Sequence, residues 1–281
     1  MTWNGVNPFV SGDIGQVLYG TADRLAARTG ALHRAKTAGR PVADVVAELA
    51  HVHRDGLAWQ VVLDIGCGRG SSTQALAAQL RPDLLVGVDA SAAMLAAARR
   101  RMPGTSDRPG VRWARGDFHR LPFRGGVCAL AVAAFCLYHS PYPQRAIAEI
   151  TRCLVPDGLA VLVTKSVDSY HHLDDLVAVA GLDRDAHTSP SLYATAHSGN
   201  LAALAATALQ VCRVEHEQHR FRFTGLRHVA EYLATSPKYQ MPPALQGQVD
   251  AIEAALIAAV PDQPVDTDST VTYVVARRGS R

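Results

Sequence analysis

The amino-acid sequence predicts an α/β fold, with a Rossmann-like, doubly wound and mostly parallel sheet. Short apolar runs alternate with segments of helical periodicity across about residues 58–165. The first of these runs carries an acid, Asp64, and is followed by three glycines at alternate positions. Such a loop lets bare backbone approach a ligand, and ligands of parallel sheets bind at the carboxyl ends of the strands.

Composition and charge narrow the classes of protein to consider. The 281 residues carry a net charge of +3, and the basic residues are scattered and almost all Arg, so we expect no nucleic-acid partner. The five cysteines are odd in number and form no CxxC pair, which predicts reduced thiols in a cytoplasmic protein. There is no leader pattern and no apolar run of membrane-spanning length, so no membrane partner is expected either.

The segment before the first long strand, residues 1–56, is predicted to form a helical pair. Apolar residues recur at helical spacing on both sides of Gly39-Arg40-Pro41. The proline suits the first turn of the second helix, so this tripeptide is expected to separate the two helices.

The glycine loop fits two kinds of ligand. A dinucleotide-binding loop has the pattern Gly-x-Gly-x-x-Gly, but Ser71 stands where that pattern has its third glycine. The carboxylate of Asp64 would also repel a pyrophosphate and attract a cation. These residues argue against a nicotinamide cofactor without excluding one. Ser71 or Thr73 is expected to cap the helix that follows the loop.

A second strand at residues 84–89 ends in another acid. Asp89 lies nineteen positions past Gly70, where a carboxylate can accept hydrogen bonds from both hydroxyls of a ribose. The alternative is a helix cap, but Ser91 already offers that role for the helix at 92–101.

Two further strands end in polar or aromatic residues. The third closes on Gly116-Asp117-Phe118, where a carboxylate beside a ring can bind the amino group of adenine. The fourth, at 127–135, runs into Leu137-Tyr138-His139. His139 is the candidate general base, and the alternative is a neutral hydrogen-bonding residue.

The remaining chain completes the sheet and adds insertions. A helix at 143–154, a Pro-Asp-Gly turn and a strand at 159–164 follow in order. Beyond them we expect a polar insertion, a short helix, a strand at 209–223, a mostly helical stretch at 224–261 and a closing strand at 268–277.

These motifs resemble those of the class I S-adenosylmethionine-dependent methyltransferases. The family pattern Asp/Glu-x-Gly-x-Gly-x-Gly is matched by Asp64, Gly66, Gly68 and Gly70. Leu137-Tyr138-His139 resembles the small-molecule, methyltransferase type 11-like branch rather than the Asp/Asn-Pro-Pro-Tyr motif of nucleic-acid enzymes. The resemblance implies a seven-stranded sheet whose last strand is antiparallel, S-adenosyl-L-methionine as cofactor and S-adenosyl-L-homocysteine as product.

The resemblance and the residue types together define a candidate site. The expected cofactor contacts are Asp64, Gly66, Cys67, Gly68, Asp89, Ala90, Met94, Gly116, Asp117, Phe118 and Phe135, with Tyr19 and Arg28 from the N-terminal lid. The expected substrate contacts are Tyr138, Tyr170 and Tyr239. No metal site is expected, because the adjacent His171 and His172 near Asp174 and Asp175, like His51 and His53, are typical of solvated residues.

The predicted function is methyl transfer to a small molecule of specialised metabolism, at oxygen or nitrogen, with carbon as a further option. Residues 1–56 are expected to form a helical lid, and residues 57–281 a methyltransferase domain with cap insertions at about 166–206 and 224–266. Two alternatives stay open at this point, namely an NAD-dependent oxidoreductase and a non-catalytic protein that binds S-adenosylmethionine. The sequence leaves the acceptor and the oligomeric state undetermined.

Overall fold

A computed structural model describes residues 7, 10, 22–102 and 110–280 of the chain. The chain divides into two compact units. We call residues 40–165, 195–216 and 271–281 the sheet unit, and residues 1–39, 166–194 and 217–270 the helical unit. The sheet unit includes residues 40–56, which the sequence analysis assigns to the lid. The functional division into lid and caps stays a proposal.

The predicted α/β sheet is confirmed. The strands lie in the order β1-β7-β8-β6-β5-β2-β3-β4, with β6, β5, β2, β3 and β4 parallel and β8 antiparallel to β6. Their bounds are Lys36–Ala38 (β1), Val61–Ile65 (β2), Leu84–Asp89 (β3), Val111–Arg115 (β4), Cys128–Ala134 (β5), Leu154–Lys165 (β6), Gln210–Phe223 (β7) and Val265–Arg277 (β8).

The described strands number eight, one more than the resemblance implies. The additional strand is β1, which pairs antiparallel with β7 through Lys36 and Phe221. Its three residues carry no alternating pattern, and its pairing partner lies far along the chain, so no local signal marks it as a strand.

Helices fill most connections between the strands where periodicity predicts them, but α6 lies in the segment expected to be a polar insertion. Among the described residues they are α1 (Ala22–Ala35), α2 (Val42–Val52), α3 (Ser71–Leu80), α4 (Ala92–Arg101), α5 (Pro143–Cys153), α6 (His172–Val179), α7 (Leu201–Ala206), α8 (Leu226–Leu233) and α9 (Val249–Ala259). A 3-10 turn spans Leu137–His139. No helix in the described ranges combines the length and the apolar character needed to cross a bilayer.

Each unit has its own apolar core. In the sheet unit, strand residues such as Val62, Leu130 and Val161 are fully buried together with Leu76 of α3. In the helical unit, the buried cluster includes Leu173, Phe223, Leu226 and Ile252. Burying one such side chain contributes about 1.5–3 kcal/mol, so each cluster stabilises its own unit.

Candidate active site

The parallel register places the ends of four strands at one edge of the sheet unit. Ile65 lies beside Val88 of β3 and beside Ala133 of β5, while Asp89 lies beside Arg115 of β4. The loops that follow β2, β3, β4 and β5 therefore meet at the same edge. This is the edge at which open parallel sheets bind ligands.

The glycine loop has left-handed backbone at all three of its glycines, and Gly66 and Gly68 have opposite surroundings. Gly66 has a φ of 69°, and a Cβ there would lie 2.5 Å from the Cβ of Cys136. Gly68 has a φ of 53°, but a Cβ there would meet no described atom within 4 Å. Gly66 is therefore required by packing against the end of β5, whereas Gly68 presents bare backbone to open space.

Asp64 lies beneath this loop as a buried carboxylate. The residue is 1% exposed, and its Oδ2 accepts hydrogen bonds from Ser72 Oγ at 2.8 Å and Thr73 Oγ1 at 2.6 Å. Burial, the main cause, raises the pKa of Asp64 from its ordinary 3.8 to about 6, although the two hydroxyls oppose the shift.

The expectation that Ser71 or Thr73 caps α3 is wrong. The N-cap is Gly70, and no side chain closes that end of the helix. A buried carboxylate needs donors more than an accessible helix end does, so the Thr73 hydroxyl bonds to Asp64 instead.

Asp89 connects the end of β3 to the glycine loop. Its Oδ2 accepts from the Gly68 amide at 2.9 Å and its Oδ1 from the Ser91 amide at 2.8 Å. A carboxylate has about four lone-pair sites, so two stay available for a ligand's hydroxyls. Burial raises the pKa of Asp89, while these two amide bonds lower it. Ser91 Oγ accepts from the Met94 amide at 3.2 Å, which confirms its predicted role as the cap of α4.

The other candidate cofactor residues near β2 and β3 differ in exposure. Cys67 and Met94 are buried, and Ala90 is exposed with its carbonyl accepting from Arg115 Nε at 3.1 Å. Burial raises the pKa of the Cys67 thiol far above its ordinary value, so this thiol stays protonated. The Gly116 amide donates to the Asp89 carbonyl at 3.1 Å, which ties the end of β4 to that of β3.

The loop after β4 contains a chain of polar contacts that sequence reasoning missed. Asp117 Oδ1 accepts from the His119 amide at 2.8 Å and lies 2.9 Å from His119 Nδ1. His119 Nε2 lies 2.6 Å from the hydroxyl of Ser140, a residue with 0% exposure just past the 3-10 turn. The Phe118 ring lies 4.6 Å from that of His119. The Asp-x-His spacing was the one available signal for this contact chain.

The end of β5 has strained backbone beside the candidate base. Phe135 has a φ of 57°, rare for a bulky residue and often found at functional sites. Lys165, at the end of β6, holds its ammonium group 5.1 Å from the centre of the Phe135 ring. The next residues form the 3-10 turn, in which the His139 ring lies 4.7 Å from the buried ring of Tyr138.

Four candidate residues are not among the described residues of the sheet unit. Arg28, Tyr170 and Tyr239 belong to the helical unit, and Tyr19 lies outside the described residues. Tyr170 is buried in the core of that unit, and the Tyr239 hydroxyl donates to Asp174 Oδ1 at 2.9 Å. Their roles in cofactor or substrate binding stay predictions.

Comparison with known proteins connects this geometry to a family. A family profile described as "Methyltransferase domain" matches residues 62–158. A trans-aconitate 2-methyltransferase of Acidovorax sp. (strain JS42) is 30% identical over 207 residues, which cover 70% of this chain and 73% of that protein. The chain belongs to the class I S-adenosylmethionine-dependent methyltransferases.

Other relatives of this methyltransferase align over shorter stretches. An uncharacterized 37.1 kDa protein in transposon TN4556 of Streptomyces fradiae is 37% identical over 108 residues, which are 38% of this chain and 30% of that protein. The chain thus spans less than a third of that relative, and the acceptor of the whole protein is a matter for proposal. The family assignment excludes the NAD-dependent oxidoreductase that the sequence left open.

Solved structures share the fold of this methyltransferase at low identity. The [4+2]-cyclase SpnF has a TM-score of 0.53 at 19% identity, covering 85% of this chain and 82% of its own. A geranyl diphosphate C-methyltransferase from Streptomyces coelicolor A3(2), in complex with Mg²⁺, geranyl diphosphate and S-adenosyl-L-homocysteine, has a TM-score of 0.50 at 17% identity, covering 84% and 79%. A fold of this kind carries more than one chemistry, so the acceptor has to be argued from the site.

The site of the methyltransferase fits S-adenosylmethionine. Open space lies over the Gly68 backbone, and the adjacent Asp89 carboxylate retains acceptor capacity. Two acidic groups, Asp64 and Asp89, favour a cationic ligand at this edge. The cofactor supplies a sulfonium methyl group that is already activated for transfer. The individual contacts with the cofactor stay predictions.

The glycine loop predicts opposite outcomes for two matched substitutions. Gly66→Ala should fail to fold stably, because its methyl group would overlap Cys136. Gly68→Ala should fold at a loss of about 1–2 kcal/mol from left-handed strain, yet bind S-adenosylmethionine at least tenfold more weakly. Urea unfolding and calorimetric titration measure the two effects. Cofactor affinity of Gly68→Ala equal to the wild type would show that the ligand does not approach this backbone.

The raised pKa of Asp64 predicts an inverted pH dependence. Between pH 3.8 and about 6 the folded chain holds a proton that the unfolded chain has released, so the free energy of unfolding falls as pH rises. A shift of this size corresponds to about 3 kcal/mol. Asp64→Asn removes that titration. In urea unfolding without cofactor, the free energy of unfolding of the variant relative to the wild type should therefore rise by about 3 kcal/mol from pH 4 to pH 7. A pH-independent difference would contradict the prediction.

Substitution of Asp89 is predicted to weaken cofactor binding specifically. Each lost hydrogen bond to a charged group corresponds to about 1.5–3 kcal/mol, so Asp89→Ala should bind S-adenosylmethionine at least tenfold more weakly in calorimetric titration. Ser91→Ala, which removes only the cap of the adjacent helix, is the matched control and should change the affinity little. Equal effects of the two substitutions would assign the loss to local disorder of the turn.

Proposed function

We propose that this methyltransferase methylates an oxygen or nitrogen atom of a small molecule in specialised metabolism, with His139 as the general base. The proposal rests on one observation. The bare backbone of Gly68, the Asp89 carboxylate and the 3-10 turn all lie at the carboxyl edge of the same sheet. The activated methyl group needs mainly alignment with its nucleophile, and positioning alone contributes about 7–11 kcal/mol. A hydroxyl acceptor also has to lose a proton, which is the role proposed for His139.

The position of His139 supports this role. It is half-buried and ends the 3-10 turn after β5, and its amide donates to the Cys136 carbonyl at 3.0 Å. The Tyr138 carbonyl accepts from Thr195 Oγ1 at 3.0 Å, and Ser140 is bonded to His119. The residues on both sides of His139 are thus held by hydrogen bonds, which favours a fixed position for the 3-10 turn.

A second candidate is methyl-ester formation on a carboxylic acid. It is favoured by the Lys165 ammonium over the Phe135 ring, which offers a cation at the same edge to an anionic acceptor. The trans-aconitate 2-methyltransferase relative also points to an acid. A carboxylate is already ionised near neutral pH and needs no base, so the two candidates differ in what they require of His139.

The cellular setting is part of the proposal. The five cysteines are free, and burial raises the pKa of Cys67, Cys128 and Cys136 above the ordinary thiol value. Five cysteines without a disulfide are typical of a reducing compartment, so we propose a cytoplasmic protein with a small-molecule substrate as its partner.

Turnover of acceptor panels by His139 variants tests the function. With hydroxyl or amine acceptors, His139→Gln should lower kcat by about 10²–10⁴-fold while the cofactor affinity stays within about twofold. His51→Ala, an exposed histidine elsewhere in the sheet unit, is the control and should leave kcat unchanged. With carboxylic acids such as trans-aconitate, kcat should survive His139→Gln if the second candidate holds.

Two results would contradict these proposals. Unchanged kcat in His139→Gln at every pH, with a hydroxyl acceptor, would remove His139 from the mechanism. Cofactor binding without turnover of any acceptor in either panel would restore the non-catalytic alternative.

A further inference from the structure

Two adjacent histidines and a distant acid meet in the helical unit. His171, His172 and Asp268 each offer a ligand atom, and these atoms all lie within 4.8 Å of one another. His171 and His172 lie at the start of α6, and Asp268 lies in β8, almost one hundred positions later. The expectation that these histidines are solvated rested only on the nearby Asp174 and Asp175. Asp268 is too distant in the chain for the sequence to place it in the cluster.

The backbone just before the histidines explains how the three residues meet. Tyr170 has a φ of 67°, an unusual value for a bulky residue. Its amide donates to the Asp268 carbonyl at 2.8 Å, and its buried ring packs against Phe221 and Tyr232. The turn places His171 at the N-cap of α6 and His172 at the first helical position, beside β8. The strained turn is therefore fixed by both a hydrogen bond and the core, a pattern found at functional sites.

A hydrogen bond to His171 sets its tautomer. Nδ1 of His171 lies 3.0 Å from the Asp168 carbonyl oxygen. A carbonyl oxygen only accepts, so Nδ1 carries the proton and Nε2 keeps its lone pair. Metal-binding histidines are oriented in this way, with one ring nitrogen donating to a carbonyl or carboxylate and the other binding the ion.

We propose that His171, His172 and Asp268 form a binding site for a divalent first-row transition ion, such as Zn²⁺ or Co²⁺. Two imidazole nitrogens and one carboxylate oxygen suit such ions, whereas Mg²⁺ and Ca²⁺ prefer sites built from oxygen. Bonds of about 2.0–2.2 Å need ligand atoms about 4 Å apart or less, which small rotations of the two exposed imidazoles provide. Three protein ligands leave positions for water or for an anionic ligand.

The bound ion would cross-link the start of α6 to β8. Because the ion binds only where the three residues are together, it should also raise the unfolding temperature of the chain. This effect gives a readout that depends neither on methyl transfer nor on S-adenosylmethionine.

Cobalt titration of the tag-free, chelator-treated full chain tests the site. We expect one Co²⁺ per chain with a visible absorption band, displacement by Zn²⁺, and no displacement by millimolar Mg²⁺. His172→Ala and Asp268→Asn should each weaken Co²⁺ binding by about tenfold or more and abolish the Zn²⁺-dependent rise in unfolding temperature. His187→Ala is the matched control, because His187 is an exposed histidine 3.5 Å from Asp175 in the same unit, and it should leave both readouts unchanged.

Several outcomes would overturn the proposal. Absence of stoichiometric Co²⁺ binding to the wild type would do so, as would equal weakening by His187→Ala and His172→Ala. Circular dichroism should show wild-type secondary structure in each variant. If one variant fails that check, His171→Gln replaces it and should show the same loss.

Discussion

The candidate site depends on one buried carboxylate and the hydroxyl groups that satisfy it. Asp64 belongs to β2, whereas Ser72 and Thr73 lie in the first turn of α3, so their hydrogen bonds fasten the strand to the helix across the glycine loop. The three glycines give this loop unusual backbone freedom, and without such a fastening the loop would have many conformations. These hydrogen bonds to the buried side chain of Asp64 therefore hold a glycine-rich segment in one conformation.

The second acid extends this arrangement to the neighbouring strand. Asp89 accepts a hydrogen bond from the Gly68 amide, and its own carbonyl accepts one from Gly116. The loops after β2, β3 and β4 thus form a continuous set of hydrogen bonds at one edge. Substitutions at these residues are therefore expected to have non-additive effects, because the residues belong to one hydrogen-bond network.

The sequence revealed the features that repeat or lie close together in the chain. Alternating apolar runs indicated the parallel strands, and acids or glycines at their ends indicated the ligand-binding edge. What it could not reveal were contacts between distant residues, such as Lys165 over the Phe135 ring or His119 with Ser140. For the same reason, the sequence did not show that Asp268 lies near the two histidines. Nor did it show that Thr73 bonds to Asp64 and does not cap α3. Local patterns predict elements, whereas tertiary packing decides which polar groups meet.

The interleaving of the two units has a consequence for the order of folding. The chain passes between the units after residues 39, 165, 194, 216 and 270, so neither unit is a continuous segment. Val260 and Val265 pack against the core of the helical unit, and the core of the sheet unit includes Tyr273 and Val275. During synthesis, neither core is complete until β8 has left the ribosome, so apolar residues made earlier lack some of their packing partners until then.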